Sequence, residues 1–316
     1  MASSPIKNVA LLGASGIPGP FILKELLASP LNVTVISRVD SKATFPPGTT
    51  VIRADYTSPA SLRAALANQD AVVSLLGHTA YTTTQKLAID AAAAAGVRRF
   101  IPSEFGVDTS SDEVVARVPF VRAKREVVEY LRGKEGEGLE WTAVITGTFF
   151  DWGLWQGWFG FDLERREVML WDGGEAVWAA TELDVVGKAL VGLLGRREAY
   201  ARARNGYVYV AGQVTSQREV WGVLERVTGE RFVVATQVDA EEHAERVRRE
   251  MAEGKMANAL DLLKAVTFDK RRKLGVWEQD WSKVLRLPKL DLEQTVREVV
   301  EGKRNFVVSN AYDDLK

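Results

Sequence analysis

The sequence contains no cysteine at any of its 316 positions. This absence excludes disulfides, thiolate zinc sites, iron–sulfur clusters and cysteine nucleophiles. Histidine is almost as scarce, because only His78 and His243 are present, too few for a three-histidine metal site. We therefore expect no metal centre. The 41 Lys+Arg against 42 Asp+Glu leave a net charge of −1, which argues against bulk affinity for nucleic acid or an anionic membrane surface.

Long hydrophobic runs are also missing, since no apolar stretch is long enough to span a bilayer. The first residues carry no charged-then-apolar signal pattern. We expect a cytoplasmic protein whose partner is a small-molecule substrate, with no nucleic acid and no membrane involved. The sequence leaves monomer and homodimer open. Its apolar fraction of 46% and charged fraction of 26% are typical of a globular protein.

The first half of the chain alternates between strand and helix patterns. Apolar, β-rich runs predict strands at residues 9–12, 33–37, 51–53, 71–76, 100–102 and 141–146. Amphipathic patterns between them predict helices at residues 17–27, 61–66, 84–95 and 120–131. This alternation predicts an α/β fold, a doubly wound parallel sheet of the Rossmann type with helices on both faces.

The second half has a different texture. Residues 151–161 hold three Trp and three Gly and follow neither the helical nor the strand period. Beyond them the patterns predict helices at 181–194, 215–227, 240–252 and about 292–300, and strands at 207–210 and 232–238. Without a linker-like boundary, we expect two interleaved domains. The first comprises residues 1–150 plus about 181–212, and a smaller α/β domain comprises residues 151–180 plus about 213–316.

The most informative motif is GASGIPG at residues 13–19, between the first strand and the first helix. In this position Gly13 permits a sharp turn, Gly16 lets the backbone approach a diphosphate and Gly19 lets the helix pack on the strand. Free N–H groups near Ser15, Gly16 and Ile17 would face the phosphates, where the helix dipole favours an anion. The alternative is an ordinary strand–helix turn, but the βαβ context favours dinucleotide binding.

The end of the second strand indicates which dinucleotide is bound. Arg38 stands where an NAD-preferring site has an acid, and Lys42 follows it, so the pair favours the 2′-phosphate of NADPH. Asp40 could instead serve a ribose 2′-OH, and Arg38 could be a solvated charge. Asp55 follows the third strand, where an adenine edge is commonly met. A helix cap or loop acid is an equal alternative for Asp55.

At residues 99–106 the sequence RFIPSEFG resembles the isoflavone reductase-like, NmrA-like branch of the atypical short-chain dehydrogenases. The resemblance extends to residues 119–124, to the EWT run at 140–142, and to GTFFDW at 147–152, which is most similar to fungal members. It implies a Rossmann domain that binds NADP, a smaller substrate-binding domain and NADPH-dependent reduction of a small, often aromatic or phenolic molecule. It covers roughly residues 6–212.

The resemblance also implies roles for individual residues. Lys124 matches the family's catalytic lysine. Further cofactor contacts are expected at Leu76, Gly77, Ser103, Phe105, Lys124 and Thr148. Substrate contacts are expected at His78, Phe105, Thr148, Phe150, Trp152 and Trp155, and Trp158 could complete an aromatic wall. A structural hydrogen bond is the alternative for His78, while His243, on a charged helix, is expected to be solvated.

Lys124 suits reduction because it lies near the start of a helix at the carboxyl edge of the sheet, where ligands bind. There a lysine can pass a proton or, when charged, stabilise an oxyanion. The alternative is a surface lysine. A competing pair, Tyr130 and Lys134, has the Tyr-x-x-x-Lys spacing of other short-chain dehydrogenases, but it lies at the far end of the helix, so we interpret it as coincidence.

Three functions remain open. The first is an NADPH-dependent reductase of an aromatic, phenolic, quinone or enone metabolite of secondary metabolism. The second is a non-catalytic redox sensor of the NmrA type, which needs the glycine loop but not Lys124 or an aromatic pocket. The third is a cofactor-using isomerase or dehydratase. The presence of Lys124 and the aromatic segment favours the reductase.

Overall fold

The computed structural model describes residues 6–77, 82–304 and 306. The strands are β1 Asn8–Leu12, β2 Asn32–Arg38, β3 Thr50–Ala54, β4 Ala71–Ser74, β5 Arg99–Ile101, β6 Glu140–Ile145, β7 Thr148–Phe149, β8 Phe161–Asp162, β9 Glu167–Trp171, β10 Val177–Thr181, β11 Gly206–Tyr209, β12 Gln213–Ser216 and β13 Val233–Val238. The helices are α1 Gly19–Leu27, α2 Pro59–Ala65, α3 Thr83–Ala94, α4 Asp112–Arg117, α5 Arg122–Arg132, α6 Phe150–Trp155, α7 Leu183–Gly195, α8 Arg197–Arg202, α9 Gln217–Thr228, α10 Ala240–Ala252, α11 Asp261–Phe268, α12 Ser282–Leu285 and α13 Leu292–Val300.

Seven strands form one fully parallel sheet in the order β11-β6-β5-β4-β1-β2-β3. The order reverses between β1 and β4, so the carboxyl ends of these two strands flank the crevice in which such sheets bind ligands. The central strands are apolar on both sides because helices cover both faces. The predicted α/β, doubly wound Rossmann fold is confirmed.

The remaining elements build a smaller unit with its own core. It contains two three-stranded sheets, β12-β10-β7 and β13-β9-β8. Aromatic side chains fill its centre: the Phe159 ring stacks on Trp178 with centroids 4.5 Å apart, and Phe268 meets Trp178 edge-on at 5.7 Å. β11, which follows β7 to β10 in the chain, joins the parallel sheet, while β7 to β10 lie outside it.

Four predicted helices, α1, α5, α7 and α9, each begin two residues later than expected. Thr181 ends strand β10 and α7 starts at Leu183, while residues up to Ser216 belong to β12 and α9 starts at Gln217. In the second case the Ser216 hydroxyl accepts a hydrogen bond from the Glu219 N–H, a side-chain cap that ends the strand and starts the helix. Within the described part of the chain, no helix is long and apolar enough to cross a membrane.

Candidate functional site

The glycine loop follows β1 and leads directly into α1. A Cβ on Gly13, whose φ is +76°, would lie 2.7 Å from the Leu75 carbonyl oxygen, and one on Gly19 would lie 2.1 Å from that of Ala14. The chain's own backbone therefore demands glycine at both positions. A Cβ on Gly16 would meet nothing closer than 3.4 Å. This is an ordinary van der Waals distance, so the fold itself does not require glycine at position 16, and a diphosphate that approaches the loop backbone would account for it.

The N–H groups of this loop differ in their availability. The prediction that the Gly16 N–H is free is wrong, because it donates to the Gly13 carbonyl at 3.1 Å and closes the turn. The Ile17 N–H finds no acceptor among the described residues, and no side chain caps α1 at Pro18. Ser15 is exposed at the tip of the loop. An anion bound here would satisfy the uncapped helix end, so the loop fits a dinucleotide phosphate.

Tyr56, which the sequence pattern did not single out, contacts the glycine loop. Tyr56 is buried, and its hydroxyl donates to the Ile36 carbonyl at 2.6 Å while lying in hydrogen-bond contact with the Gly13 backbone. Burial raises the pKa of Tyr56 far above its ordinary value, so the hydroxyl stays protonated. Tyr56 therefore ties the turn of the glycine loop to strand β2.

Asp55, next to Tyr56, closes a local turn. Its carboxylate accepts hydrogen bonds from the Thr57 hydroxyl at 2.7 Å and from the Thr57 N–H at 2.8 Å, and these bonds lower its pKa. Ser58, not Asp55, caps α2, and Asp55 lies in the loop between β3 and this cap. Its expected contact with adenine stays a prediction.

The end of β2 presents exposed charge. The Arg38 guanidinium is 64% exposed and its Nε lies 3.4 Å from the Asp40 carboxylate, while Lys42 is exposed. Arg53 shapes this loop from the neighbouring strand, because its guanidinium donates to the Ser41 carbonyl at 2.8 Å and to the Arg38 carbonyl at 3.2 Å. Arg38 is therefore positioned at the carboxyl edge with its head group accessible to a 2′-phosphate.

At the carboxyl end of β4, Leu76 is buried and Gly77 is exposed. A Cβ on Gly77 would meet no atom within 4 Å, so the residue borders open space. His78, expected to contact substrate, lies outside the described residues. The cofactor contacts expected at Leu76 and Gly77 stay predictions.

The loop after β5 carries the PSEFG motif. The Ser103 N–H donates to the buried Gln85 side chain at 2.9 Å, which anchors the start of the loop on α3. Phe105 is buried and has a φ of +20°, a strained backbone value for a residue with a Cβ. Beyond it, the Gly106 carbonyl accepts from the Gly147 N–H at 3.0 Å, so this loop is bound to the segment that leads into β7.

Lys124 reaches this loop from the first turn of α5. Its ammonium donates to the Glu104 carbonyl and lies 3.6 Å from where a Cβ on Gly106 would be. The side chain is half-buried. The structure thus brings Lys124, Ser103 and Phe105 together at the carboxyl edge of the sheet. Their roles in binding and catalysis stay predictions.

The competing pair faces away from this edge. The Tyr130 hydroxyl donates to both oxygens of Asp90 on α3 at 2.7 and 2.8 Å, and the Lys134 ammonium lies 2.9 Å from the same carboxylate. Bonding to Asp90 raises the pKa of Tyr130. The pair therefore clamps α5 to α3, which accounts for both residues without catalysis.

The aromatic residues expected to contact substrate differ in their exposure. The substrate contact predicted for Phe150 is wrong, because its ring is fully buried and stacks on Phe159 at 5.6 Å. Trp155 is 42% exposed and, with Trp158, lines a groove with a volume of about 510 Å³. Trp152 is half-buried and packs on the core of the smaller unit.

The surroundings of Thr148 and His243 also bear on the expectations from the sequence. The Thr148 hydroxyl oxygen is buried and has no hydrogen-bond partner among the described residues, at the point where β7 leaves the carboxyl edge. The expectation that His243 is solvated is wrong, since its side chain is 14% exposed and its Nε2 lies 2.8 Å from Asp261. The Trp171 ring also meets the His243 imidazole at 4.8 Å.

Comparison with known proteins agrees with this geometry. A family model described as NAD(P)H-binding matches residues 13–156, which span the glycine loop, the PSEFG loop and Lys124. Oxidoreductase aprR of Aspergillus flavus is 33% identical over 302 residues, covering 93% of this chain and 99% of that protein. The chain belongs to the isoflavone reductase-like, NmrA-like family.

Other relatives extend this assignment. Isoflavone reductase homolog IRL of Zea mays is 28% identical over 191 residues, covering 58% of this chain and 59% of that protein. A solved structure of AtPrR2 with NADP+ and (+)pinoresinol shares the fold, with a TM-score of 0.74, 18% identity and coverage of 94% and 99% of the two chains. This family member is an NADPH-dependent oxidoreductase, and the predicted cofactor, NADPH/NADP+, is confirmed.

Proposed function

We propose that this family member reduces a small aromatic or phenolic molecule, a quinone or an enone of secondary metabolism, with Lys124 assisting at the acceptor oxygen. One observation carries the proposal. The Lys124 ammonium is held on the Glu104 carbonyl at the carboxyl edge of the sheet, where the glycine loop and the PSEFG loop also end. A cationic donor at this edge is what hydride addition to a conjugated carbonyl requires, because negative charge develops on the acceptor oxygen.

The proposal assigns a task to each part of the site. The loop of Gly13, Gly16 and Gly19 binds the diphosphate, and Arg38 with Lys42 binds the 2′-phosphate. The bound nicotinamide supplies the hydride. Lys124 donates a proton to the acceptor oxygen or stabilises its charge. We further propose that residues 1–150 plus about 181–212 bind the cofactor, that the rest of the chain binds substrate, and that the protein is cytoplasmic.

The test is NADPH oxidation with a panel of quinones, enones and phenolic ketones. We expect turnover with at least one acceptor, and we expect Lys124→Ala to lower kcat by about a hundredfold or more, the usual contribution of a proton donor. The NADPH dissociation constant should change little, because the variant removes a group that acts on the acceptor.

Lys134→Ala is the matched control, since Lys134 follows the C-terminal end of the same helix and its ammonium is bound to Asp90. Its turnover should equal that of the unmodified enzyme. Full turnover by Lys124→Ala would refute the role of the lysine. Tight NADPH binding without oxidation by any acceptor would favour the redox sensor, and conversion of an acceptor without net NADPH oxidation would favour an isomerase or dehydratase.

A further inference from the structure

Strand β13 lies at the edge of the sheet β13-β9-β8 and has a strand neighbour on one side only. The first five of its six residues are exposed, although the strand contains no charged residue and no proline. Val233 alone is 60% exposed. On the neighbouring strand, Met169 pairs with Thr236 and is also exposed. An uncharged strand is therefore open both along its backbone edge and at its side chains.

An edge of this kind presents unpaired backbone N–H and C=O groups to any extended chain that reaches it. Proteins protect such edges with charged side chains, proline or bulges, and β13 has only a bulge. The bulge lies between Val234 and Thr236, so Ala235 has no partner of its own on β9. The strand sequence VVATQV is rich in β-branched residues, which favours pairing with a further strand.

Opposite charges at the two ends of the strand indicate which partner fits. Arg231, two residues before β13, is exposed and forms no ion pair among the described residues. Asp239 follows β13 with an extended backbone, and its exposed carboxylate, which binds Arg271 at 3.0 Å, can accept a second cation. An antiparallel pair of two such strands centred on Ala235 places Arg231 of each copy opposite Asp239 of the other. Between residues 231 and 239, no like charges then face each other.

We propose that β13 is the contact between two copies of this chain, which pair in antiparallel fashion across a twofold axis at Ala235. The two three-stranded sheets then form one continuous sheet of six strands. The partner is a second copy because a twofold axis satisfies both pairs of Arg231 with Asp239 through one self-complementary surface. A different protein would need a base and an acid at the same spacing on an extended segment. The inference does not depend on the proposed reductase activity.

The absence of cysteine makes disulfide crosslinking a direct test. Ala235→Cys introduces one thiol per chain, and the twofold axis brings the two Cα atoms to about 4.5–5.5 Å, a separation that a disulfide spans. Mild oxidation of the full-length protein should therefore give a covalent dimer. Val214→Cys is the matched control, because Val214 is exposed and lies on β12, an edge strand of the other small sheet. This variant should remain a single chain on a denaturing gel.

Analytical ultracentrifugation without oxidant measures the association itself. We expect the mass of the unmodified protein to approach twice that of one chain as its concentration rises. Ala235→Lys should raise the dimer dissociation constant by about tenfold or more, because the two lysines would face each other across the axis. Arg231→Glu should weaken the dimer similarly, since an acid would then face Asp239. Val214→Lys, the control, should leave the dissociation constant unchanged.

Any of three results would overturn the inference. They are a single-chain mass at every concentration, a dimer that Ala235→Lys leaves unaffected, and equal crosslinking of Ala235→Cys and Val214→Cys. The second result would place the interface on another surface of the protein. Because all the substituted residues are exposed, each variant should unfold in urea like the unmodified protein, which separates a lost interface from a lost fold.

Discussion

At the scale of single residues, contacts distinguish the functional side chains from those that merely share their spacing. Tyr130 and Lys134 have the spacing of a dehydrogenase pair, yet both bind Asp90. Lys124 lies in a basic run that resembles a solvated surface, yet its ammonium is held by the Glu104 carbonyl. The Tyr-x-x-x-Lys spacing describes only the residues of one chain segment, whereas their hydrogen-bond partners come from α3 and from the PSEFG loop.

Arg38 gives a prediction at this scale. We expect Arg38→Ala to weaken NADPH binding by about ten- to a hundredfold, because a charge-assisted contact to phosphate contributes about 1.5–3 kcal/mol. NADH binding should hardly change, since NADH has no 2′-phosphate. Titration of both cofactors, followed by energy transfer from tryptophan to the reduced nicotinamide, measures the two affinities.

Arg63→Ala is the control, because Arg63 is an exposed arginine on α2. It should affect neither cofactor. Asp40→Asn adds a second comparison: Asp40 lies 3.4 Å from the Arg38 guanidinium and competes with a bound phosphate. This variant should bind NADPH more tightly. An equal loss of NADH and NADPH affinity in Arg38→Ala would contradict the proposed contact.

At the scale of elements, the strand–loop–helix unit of β1 and α1 uses its glycines in two ways. Gly13 and Gly19 are required by the protein's own backbone, whereas a Cβ on Gly16 would meet nothing closer than 3.4 Å. The family motif includes all three, and only the packing shows which of them serves the fold and which serves the ligand.

We predict that Gly19→Ala and Gly16→Ala have opposite consequences. Gly19→Ala should lower the unfolding free energy by about 1–3 kcal/mol, because its Cβ would lie 2.1 Å from the Ala14 carbonyl oxygen. Gly16→Ala should fold with nearly unchanged stability and bind NADPH about tenfold more weakly or worse, since a methyl group then occupies the space of the diphosphate. Urea denaturation and NADPH titration of both variants separate the effects. A stable Gly19→Ala or a tightly binding Gly16→Ala would contradict this division.

At the scale of the whole molecule, buried acids join the two units. Asp151, the acid of the FFDW motif, is fully buried, caps the start of α7 at the Leu183 N–H and pairs with Arg304 at 2.6 Å. Glu182 is also fully buried, and its Oε1 accepts from Gln213 at 3.1 Å and from Thr295 on α13 at 3.2 Å. Asp151 therefore holds the C-terminal segment around Arg304 and does not line the candidate site.

This cluster predicts a pH dependence of stability. Burial raises the pKa of Glu182 to about 7, so between pH 4.5 and pH 7 the folded protein binds more protons than the unfolded chain. The unfolding free energy should therefore fall as the pH rises through this window, by up to about 3 kcal/mol for this one group. Glu182→Gln cannot ionise and should be more stable than the unmodified protein at pH 8, with little difference at pH 5.

Urea denaturation at the two pH values measures this difference. Asp184→Asn is a control with the opposite expected effect. The hydrogen bond from Lys188 at 2.6 Å lowers the pKa of Asp184, so the ionised carboxylate stabilises the folded protein. Replacing it with Asn should therefore destabilise the protein at pH 8. If Glu182→Gln were less stable than the unmodified protein at pH 8, the carboxyl would be stabilising as an anion and the prediction would be wrong.

The sequence by itself determined the Rossmann sheet, the glycine loop, the cofactor and the family. These depend on local properties: near-continuous apolar runs in the strands, helices of period 3.6, and glycines at a strand–helix junction. Each property is encoded within a few consecutive residues. The RFIPSEFG motif is likewise a run of consecutive residues, and the family resemblance that it carries implied the catalytic role of Lys124.

Only the tertiary structure decided which side chains face the core, the site or each other. Phe150 and Trp155 are the first and last residues of α6, yet Phe150 is enclosed by Phe159 and Trp155 borders a groove. Tyr56 supports a loop more than 40 positions earlier, and Arg304 neutralises an acid 153 positions away. Burial and charge pairing arise from residues distant in the chain, so no local pattern can specify them.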